Sequence, residues 1–209
     1  MTFTEDDFIR RLDKALDSGK HPESPYTITW TEDPPSHAAV LMPFLCTADG
    51  WQLLFIRRTQ HPKDRHGGQV AFPGGRCDPD DPDAYKAALR EAHEEVGLKP
   101  EDVRILGKLH DMLTVTNYLV TPIVGTFPWP YELTPQPEEV SHMFSIPLEW
   151  LAEPKNRETQ YRKFMDQGDP LPVIYFKHYD GELLWGASAR MTMLLLEALG
   201  LSDPEDRYK

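Results

Sequence analysis

The segment 82–96 constrains this chain more than any other. Ala84, Ala87, Ala88, Ala92 and Val96 recur at helical spacing and give one apolar face suited to packing on a sheet. Asp81 is placed to cap this helix, Pro82 suits its first turn and Gly97 ends it. Glu91 stands three residues before Glu94 and four before Glu95, so the three carboxylates share one face. Such crowding costs a bare helix about 0.2–0.5 kcal/mol per pair, and acids near a helix C-terminus oppose its macrodipole. A hard divalent cation offsets that cost, because Mg²⁺, Mn²⁺ and Ca²⁺ prefer oxygen ligands. Arg90 can hold and orient one carboxylate through a bidentate pair. A solvated acidic face is the plain alternative. The Gly74-Gly75 turn upstream favours a site, since it can set a loop beside the same face.

The other elements follow from periodicity and turn residues. Residues 4–18 read as an amphipathic helix through Phe8, Ile9, Leu12, Ala15 and Leu16, with Thr4 and Asp7 as a capping pair. Residues 19–36 contain Pro22, Pro25, Pro34 and Pro35 and read as an extended arm. The chain therefore divides into an N-terminal helix and Pro-rich arm, 1–36, and a main domain, 37–209. Strands are predicted at 38–45 and 51–57 around Ala48-Asp49-Gly50, and at 103–110, 118–127, 139–145 and 172–178. Tyr179-Asp180-Gly181 signals a hairpin leading to Leu183-Leu184-Trp185, and a last helix covers about 187–200. Strands in the middle with helices before, between and after them indicate a layered α/β or α+β domain.

Composition sets the class of partner. A hydrophobic content of 40% with 27% charged residues is that of a soluble globular chain. The longest apolar run, Ala38 to Cys46, is too short to cross a bilayer. The polar, acidic N-terminus has no signal-peptide pattern, and Cys46 and Cys77 read as free thiols, so a cytoplasmic protein without a membrane partner is expected. The net charge of −12 argues against nucleic-acid binding. An anionic substrate would then need a local positive patch, metal ions, or both. Residues 57–66 supply Arg57, Arg58, Lys63 and Arg65 against Asp64, a local +3, whereas the seven acids in 78–95 against Lys86 and Arg90 leave −5. A basic strip leading into an acidic helix suits a metal–diphosphate complex.

Gly75, Asp81 and the run Arg90-Glu91-Ala92-x-Glu94-Glu95-x-Gly97-Leu98 resemble the signature of the Nudix hydrolase family. That signature is Gly-x5-Glu-x7-Arg-Glu-U-x-Glu-Glu-x-Gly-U, with U aliphatic. Here Asp81 stands for the first Glu, and one extra residue precedes Arg90. The resemblance implies an α/β/α sandwich around a mixed sheet and hydrolysis of a nucleoside diphosphate linked to another moiety. It implies Glu91, Glu94 and Glu95 as ligands of Mg²⁺ or Mn²⁺, and Glu91, Arg90 and Glu94 as the catalytic set. Glu91 would be a ligand or the water-activating base, and Arg90 would orient it.

Residues 53–98 resemble, more narrowly, the subfamily that cleaves coenzyme A and its thioesters. The longer spacer, Asp81 and the run Ala88-Leu89-Arg90-Glu91 belong to that likeness, as do Leu53-Leu54 with Arg57, and Gly68 followed by Phe72-Pro73-Gly74-Gly75. Asp64 stands where that subfamily has an arginine, flanked by Lys63 and Arg65. Tyr118-x-Val120-Thr121-Pro122, Ile146-Pro147-Leu148 and Trp185-Gly186-Ala187-Ser188-Ala189-Arg190 extend the likeness downstream. It implies substrate contacts from Arg57, Arg58, Lys63, Arg65, Gly74 and Gly75, with the extra arginines meeting the 3′-phosphate. The products would be 3′,5′-ADP and (acyl-)4′-phosphopantetheine. ADP-ribose, NADH, a nucleoside triphosphate or a dinucleotide polyphosphate stay open as substrates, as does a silent nucleotide-binding regulator of the same fold. Glu138 or Glu139 is available as a further carboxylate, His93 is expected on the helix flank, and the N-terminal arm could cover the core or mediate a homodimer.

Overall fold

The computed structural model describes residues 3–17, 33–61, 66–164 and 169–208. In chain order the described elements are α1 (Glu5–Asp17), β1 (Ser36–Thr47), β2 (Gly50–Arg58), β3 (Val70–Ala71), β4 (Gly74–Arg76), α2 (Ala84–Val96), β5 (Arg104–Lys108), β6 (Met112–Leu113), β7 (Tyr118–Thr126), β8 (Val140–Pro147), α3 (Leu148–Ala152), β9 (Arg157–Arg162), β10 (Leu171–Phe176) and α4 (Gly186–Ala198). Strands β1 to β8 form one mixed sheet, in which β1 and β7 are parallel and the other pairings are antiparallel.

The layering follows from β1 and β2, whose apolar residues fill both faces. Ala39, Leu41, Leu45, Leu54 and Ile56 pack with Ala87, Ala88, Ala92 and Val96 of α2. Their neighbours Met42, Phe44, Leu53 and Phe55 pack on the opposite side with residues of α1, α3 and α4. A strand apolar on both sides needs a layer on each, which gives the expected α/β/α sandwich. α1 belongs to this core: Phe8 and Leu12 are fully buried, the Phe8 and Phe44 rings lie 4.8 Å apart, and Trp51 Nε1 donates to the Phe3 carbonyl at 2.6 Å. The Thr4–Asp7 capping pair is present, with the Thr4 N–H donating to Asp7 Oδ2 at 3.0 Å and the Asp7 N–H to Thr4 Oγ1 at 3.2 Å. Most of the Pro-rich arm, residues 18–32, lies outside the described residues.

One feature of the sheet positions the site. β7 takes one edge of β1, so β2 and β4 share the other: β2 pairs with Phe44–Thr47 and β4 with Ala38–Val40. β1 and β2 therefore run together only near their hairpin and then part. β3 pairs with Ile56 and Arg57 of β2, while β4 lines β1, so the segment 70–76 fills the fork. The Leu41 N–H donates to the Pro73 carbonyl at 2.8 Å inside it.

Two sequence expectations change. The helix start is capped by Asp83, whose Oδ1 accepts from the Lys86 N–H at 2.9 Å, and not by Asp81, which is drawn away to Arg90. β9, unexpected from its polar sequence, pairs with β10 as a separate two-stranded sheet. Gly97 ends α2 as expected, at a left-handed φ of 70°.

Candidate active site

The fork brings the Gly74-Gly75 turn against the acidic face of α2. Glu95 is 1% exposed, and its Oε2 accepts from the Gly74 N–H at 2.8 Å. Arg58, at the end of β2, brings its Nη1 to 3.6 Å from the other carboxylate oxygen. Burial pushes the Glu95 carboxyl up to about 8, against the lowering effects of the Gly74 N–H and Arg58; Glu91 and Glu139 push it further up. Glu91 lies beside Gly75, and burial raises its carboxyl as well, opposed by Arg90. Glu94 is exposed.

Arg90 gathers the outer part of the site. It forks onto Asp81, Nε to Oδ1 at 3.2 Å and Nη2 to Oδ2 at 2.9 Å. Its Nη1 donates to Glu91 Oε1 at 2.9 Å and to Glu94 Oε2 at 3.1 Å, and Nη2 also reaches the Arg76 carbonyl at 3.2 Å. The guanidinium thereby ties the loop after β4 to the helix. The hydrogen bond from Arg90 holds the Asp81 carboxyl below its usual range. Asp81, read from sequence as a helix cap, is Arg90's anchor.

The basic strip read from sequence is not one surface. Successive strand residues face opposite ways. Arg58 points to Glu95 on the α2 side, whereas Arg57 pairs with Glu182 at 2.7 Å, and Glu182 is shared with His142 at 3.0 Å. Lys63 and Arg65 lie outside the described residues. Glu138 and Glu139 are both exposed, and it is Glu139 whose charge raises the carboxyls of Glu91 and Glu95. His93 is exposed on the helix flank, and burial raises the Cys77 thiol.

A cavity of about 560 Å³ opens on the other side of Gly74 and Gly75, toward α4. Its walls are largely apolar, with Val40, Phe72, Met112, Tyr118 and Trp185 among them. Arg58, Arg76 and Arg190 line it, and no carboxylate does among the described residues. In a chain of net charge −12 that segregation is informative. Arg190 was read from sequence only as part of a downstream likeness. The signal that could have singled it out is that it is the one basic residue of the largely apolar helix Gly186–Ala198.

Among the described residues no three of His, Cys, Asp and Glu are drawn together as a ready metal cage. The hydrogen bonds give the reason: Arg90 engages Glu91 and Glu94, while Glu95 turns to Gly74. The donor set nonetheless fits a hard divalent ion. It consists of carboxylate oxygens, and Glu95, the most buried of them, lies 3.6 Å from Arg58.

The acidic helix clasped by Arg90 beside the Gly74-Gly75 turn, in an α/β/α sandwich, is the arrangement that the sequence resemblance implies. Residues 35–168 match the NUDIX domain family. An uncharacterized Nudix hydrolase, NudL, of Yersinia enterocolitica is 36% identical over 165 residues, 79% of this chain and 82% of that protein. NudL of Photorhabdus laumondii is 36% identical over 183 residues, covering 88% and 91%. Among solved structures, a C. elegans Ap4A hydrolase binary complex has a TM-score of 0.47 at 21% identity, covering 54% of this chain and 80% of that one. The chain belongs to the Nudix family and is a pyrophosphohydrolase of nucleoside diphosphate derivatives. Enzymes of this family generally use divalent metal ions.

Proposed function

We propose that the enzyme hydrolyses the diphosphate bond of coenzyme A or acyl-CoA, giving 3′,5′-ADP and (acyl-)4′-phosphopantetheine. The observation that carries this reading is the cavity beside Gly74 and Gly75, which combines three arginines with walls that are largely apolar. A diphosphate flanked by a long, weakly polar arm matches that pairing of charge and apolar wall better than a compact, polar nucleotide does. The likeness of residues 53–98 to enzymes acting on coenzyme A supports the same choice.

In this reading Glu91, Glu94 and Glu95 hold Mg²⁺ or Mn²⁺, which when bound neutralises diphosphate charge and acidifies a water. The protein's own groups do the rest. Arg58 and the Gly-Gly turn orient the diphosphate at the fork. Glu91, set beside Gly75 at the fork, accepts the proton of the attacking water. Arg90 keeps Glu91 in place, anchored in turn by Asp81. The Gly74 N–H fixes the Glu95 carboxylate. We place this activity in the cytoplasm.

A substrate panel tests the reading. Coenzyme A, acetyl-CoA, ADP-ribose, NADH and Ap4A are assayed with Mg²⁺ and with Mn²⁺, and products are identified by mass. The expected result is highest kcat/KM on the coenzyme A compounds, with 3′,5′-ADP released. A strong preference for ADP-ribose or Ap4A overturns it, and specific binding without turnover of any compound would make the chain a silent regulator.

A further inference from the structure

The two-stranded sheet of β9 and β10 supplies none of the groups at the fork, yet it builds part of the wall of the cavity beside it. Val173 of β10 lines that cavity, and so does Phe164, two residues past the end of β9. Among the described residues the exposed large hydrophobics are Trp129, Tyr161 and Phe164, and of these Phe164, 43% exposed, is the one that lines the cavity. Apolar surface in water is unfavourable, so an apolar group entering beside Phe164 gains by covering it. Trp185 extends the wall. It is bridged to Tyr175 of β10 and stacks on that ring, with centroids 5.4 Å apart and planes 8° from parallel. The Arg162 guanidinium lies over Tyr175 at 5.1 Å. Just beyond Trp185, Ser188 Oγ donates to the Val70 carbonyl at 3.1 Å and ties the start of α4 to β3. These contacts hold Trp185 in place before any ligand arrives, which lowers the ordering cost of binding against it.

We propose that the wall from Trp185 to Phe164 binds the acyl chain of an acyl-CoA thioester, so that the enzyme favours acylated coenzyme A over the free thiol. The cavity is continuous with the fork, since Gly74, Gly75 and Arg58 line it together with Trp185 and Phe164. A diphosphate held at the glycine turn can therefore send its arm along the apolar wall. The inference rests on the coenzyme A reading and goes beyond it. That reading needs only room for the arm, whereas an apolar wall ending in an exposed phenylalanine discriminates by what the arm carries at its end. A thiol offers that wall little, and each fully buried methylene adds about fourfold in affinity.

The test is a chain-length series of free coenzyme A and its acetyl, butyryl, hexanoyl and octanoyl thioesters. In the wild type kcat/KM should climb along the series, mainly through KM, and hexanoyl-CoA should exceed acetyl-CoA by roughly 10- to 100-fold. Phe164→Ala should cut the hexanoyl-to-acetyl ratio roughly tenfold, and Phe164→Leu, which keeps an apolar surface, should retain most of it. Phe164 is exposed, so its truncation leaves the core as it is. A merely structural role would lower all thioesters together and leave the ratio intact, which would overturn the proposal, as would a flat series in the wild type. Should the variants fail to fold, the wild-type series still decides. Calorimetric binding of hexanoyl-4′-phosphopantetheine against 4′-phosphopantetheine gives a readout independent of turnover. If no coenzyme A compound is hydrolysed but the hexanoyl form still binds tighter in a Phe164-dependent way, the substrate reading fails and the wall assignment stands. If coenzyme A compounds are hydrolysed without regard to chain length, the reverse holds.

Discussion

Glu91 and Gly75 approach so closely that no side chain fits between them. A Cβ on Gly75 would lie 2.6 Å from Glu91 Oε2. The glycine is there for the carboxylate, and its backbone needs no left-handed φ. Next to it, Gly74 is a glycine for a different reason: its φ is 153°, and a Cβ would meet the Ala39 carbonyl oxygen and Val40 Cα, each at 2.5 Å.

The two glycines should therefore fail differently. Gly75→Ala displaces the end of a flexible side chain, so stability should change by less than about 1 kcal/mol. Turnover should fall roughly 100-fold, the usual effect of misplacing a catalytic group by an ångström. Gly74→Ala presses on backbone and should cost roughly 2–4 kcal/mol of stability. Thermal melts paired with kcat separate the two; equal losses of stability in both variants would refute the distinction.

Glu95 makes the metal-free protein sensitive to pH. Its folded-state pKa of about 8 lies above its ordinary value of 4.5. Between those values the folded state holds more protons than the unfolded one, so stability falls as pH rises from about 5 to 8. The loss should reach a few kcal/mol in the wild type with chelator present. Glu95→Gln should lack this component of the slope and lose turnover by orders of magnitude. Denaturant titrations at a series of pH values read the difference, and parallel pH profiles in the two proteins would count against it.

Asp81 should matter although it touches neither Glu91 nor Glu94. Asp81→Ala removes the fork that holds Arg90. A charge-assisted pair of this burial contributes about 1–2 kcal/mol, and kcat should drop roughly 10- to 100-fold as Glu91 loses its orientation. Steady-state kinetics with unchanged KM would support a positioning role; wild-type kcat would exclude it.

Phe8 tests whether α1 is part of the domain in energy as well as in contact. Phe8→Ala empties a fully buried site between Phe44 and Trp51 and should cost about 3–5 kcal/mol, lowering Tm by roughly 10 °C. A loss under about 1 kcal/mol would mean that α1 is an appendage. Turnover at low temperature should be unaffected.

The acidic helix was legible from its sequence because alanine spacing, Gly97 and three glutamates agree on one element. Its start was misread because Asp81 and Asp83 are chemically alike as caps, and only the distant Arg90 distinguishes them. β3 and β4 are two and three residues long, too short for any period to appear. β9 reads Arg-Glu-Thr-Gln-Tyr-Arg, without the apolar alternation that marks a strand. Arg57 and Arg58 looked like one basic patch, yet adjacency along a strand separates side chains by a whole sheet. Arg190 shared its helix with so many apolar neighbours that its segment read most simply as core.

The segment 70–76 is at once the glycine turn of the proposed site and the seam closing the gap between β1 and β2. A chain that has not yet closed this seam has neither a complete sheet nor a complete site. Folding and competence to react thus arrive together, and a partly assembled form would carry no stray hydrolytic activity toward the cell's diphosphates.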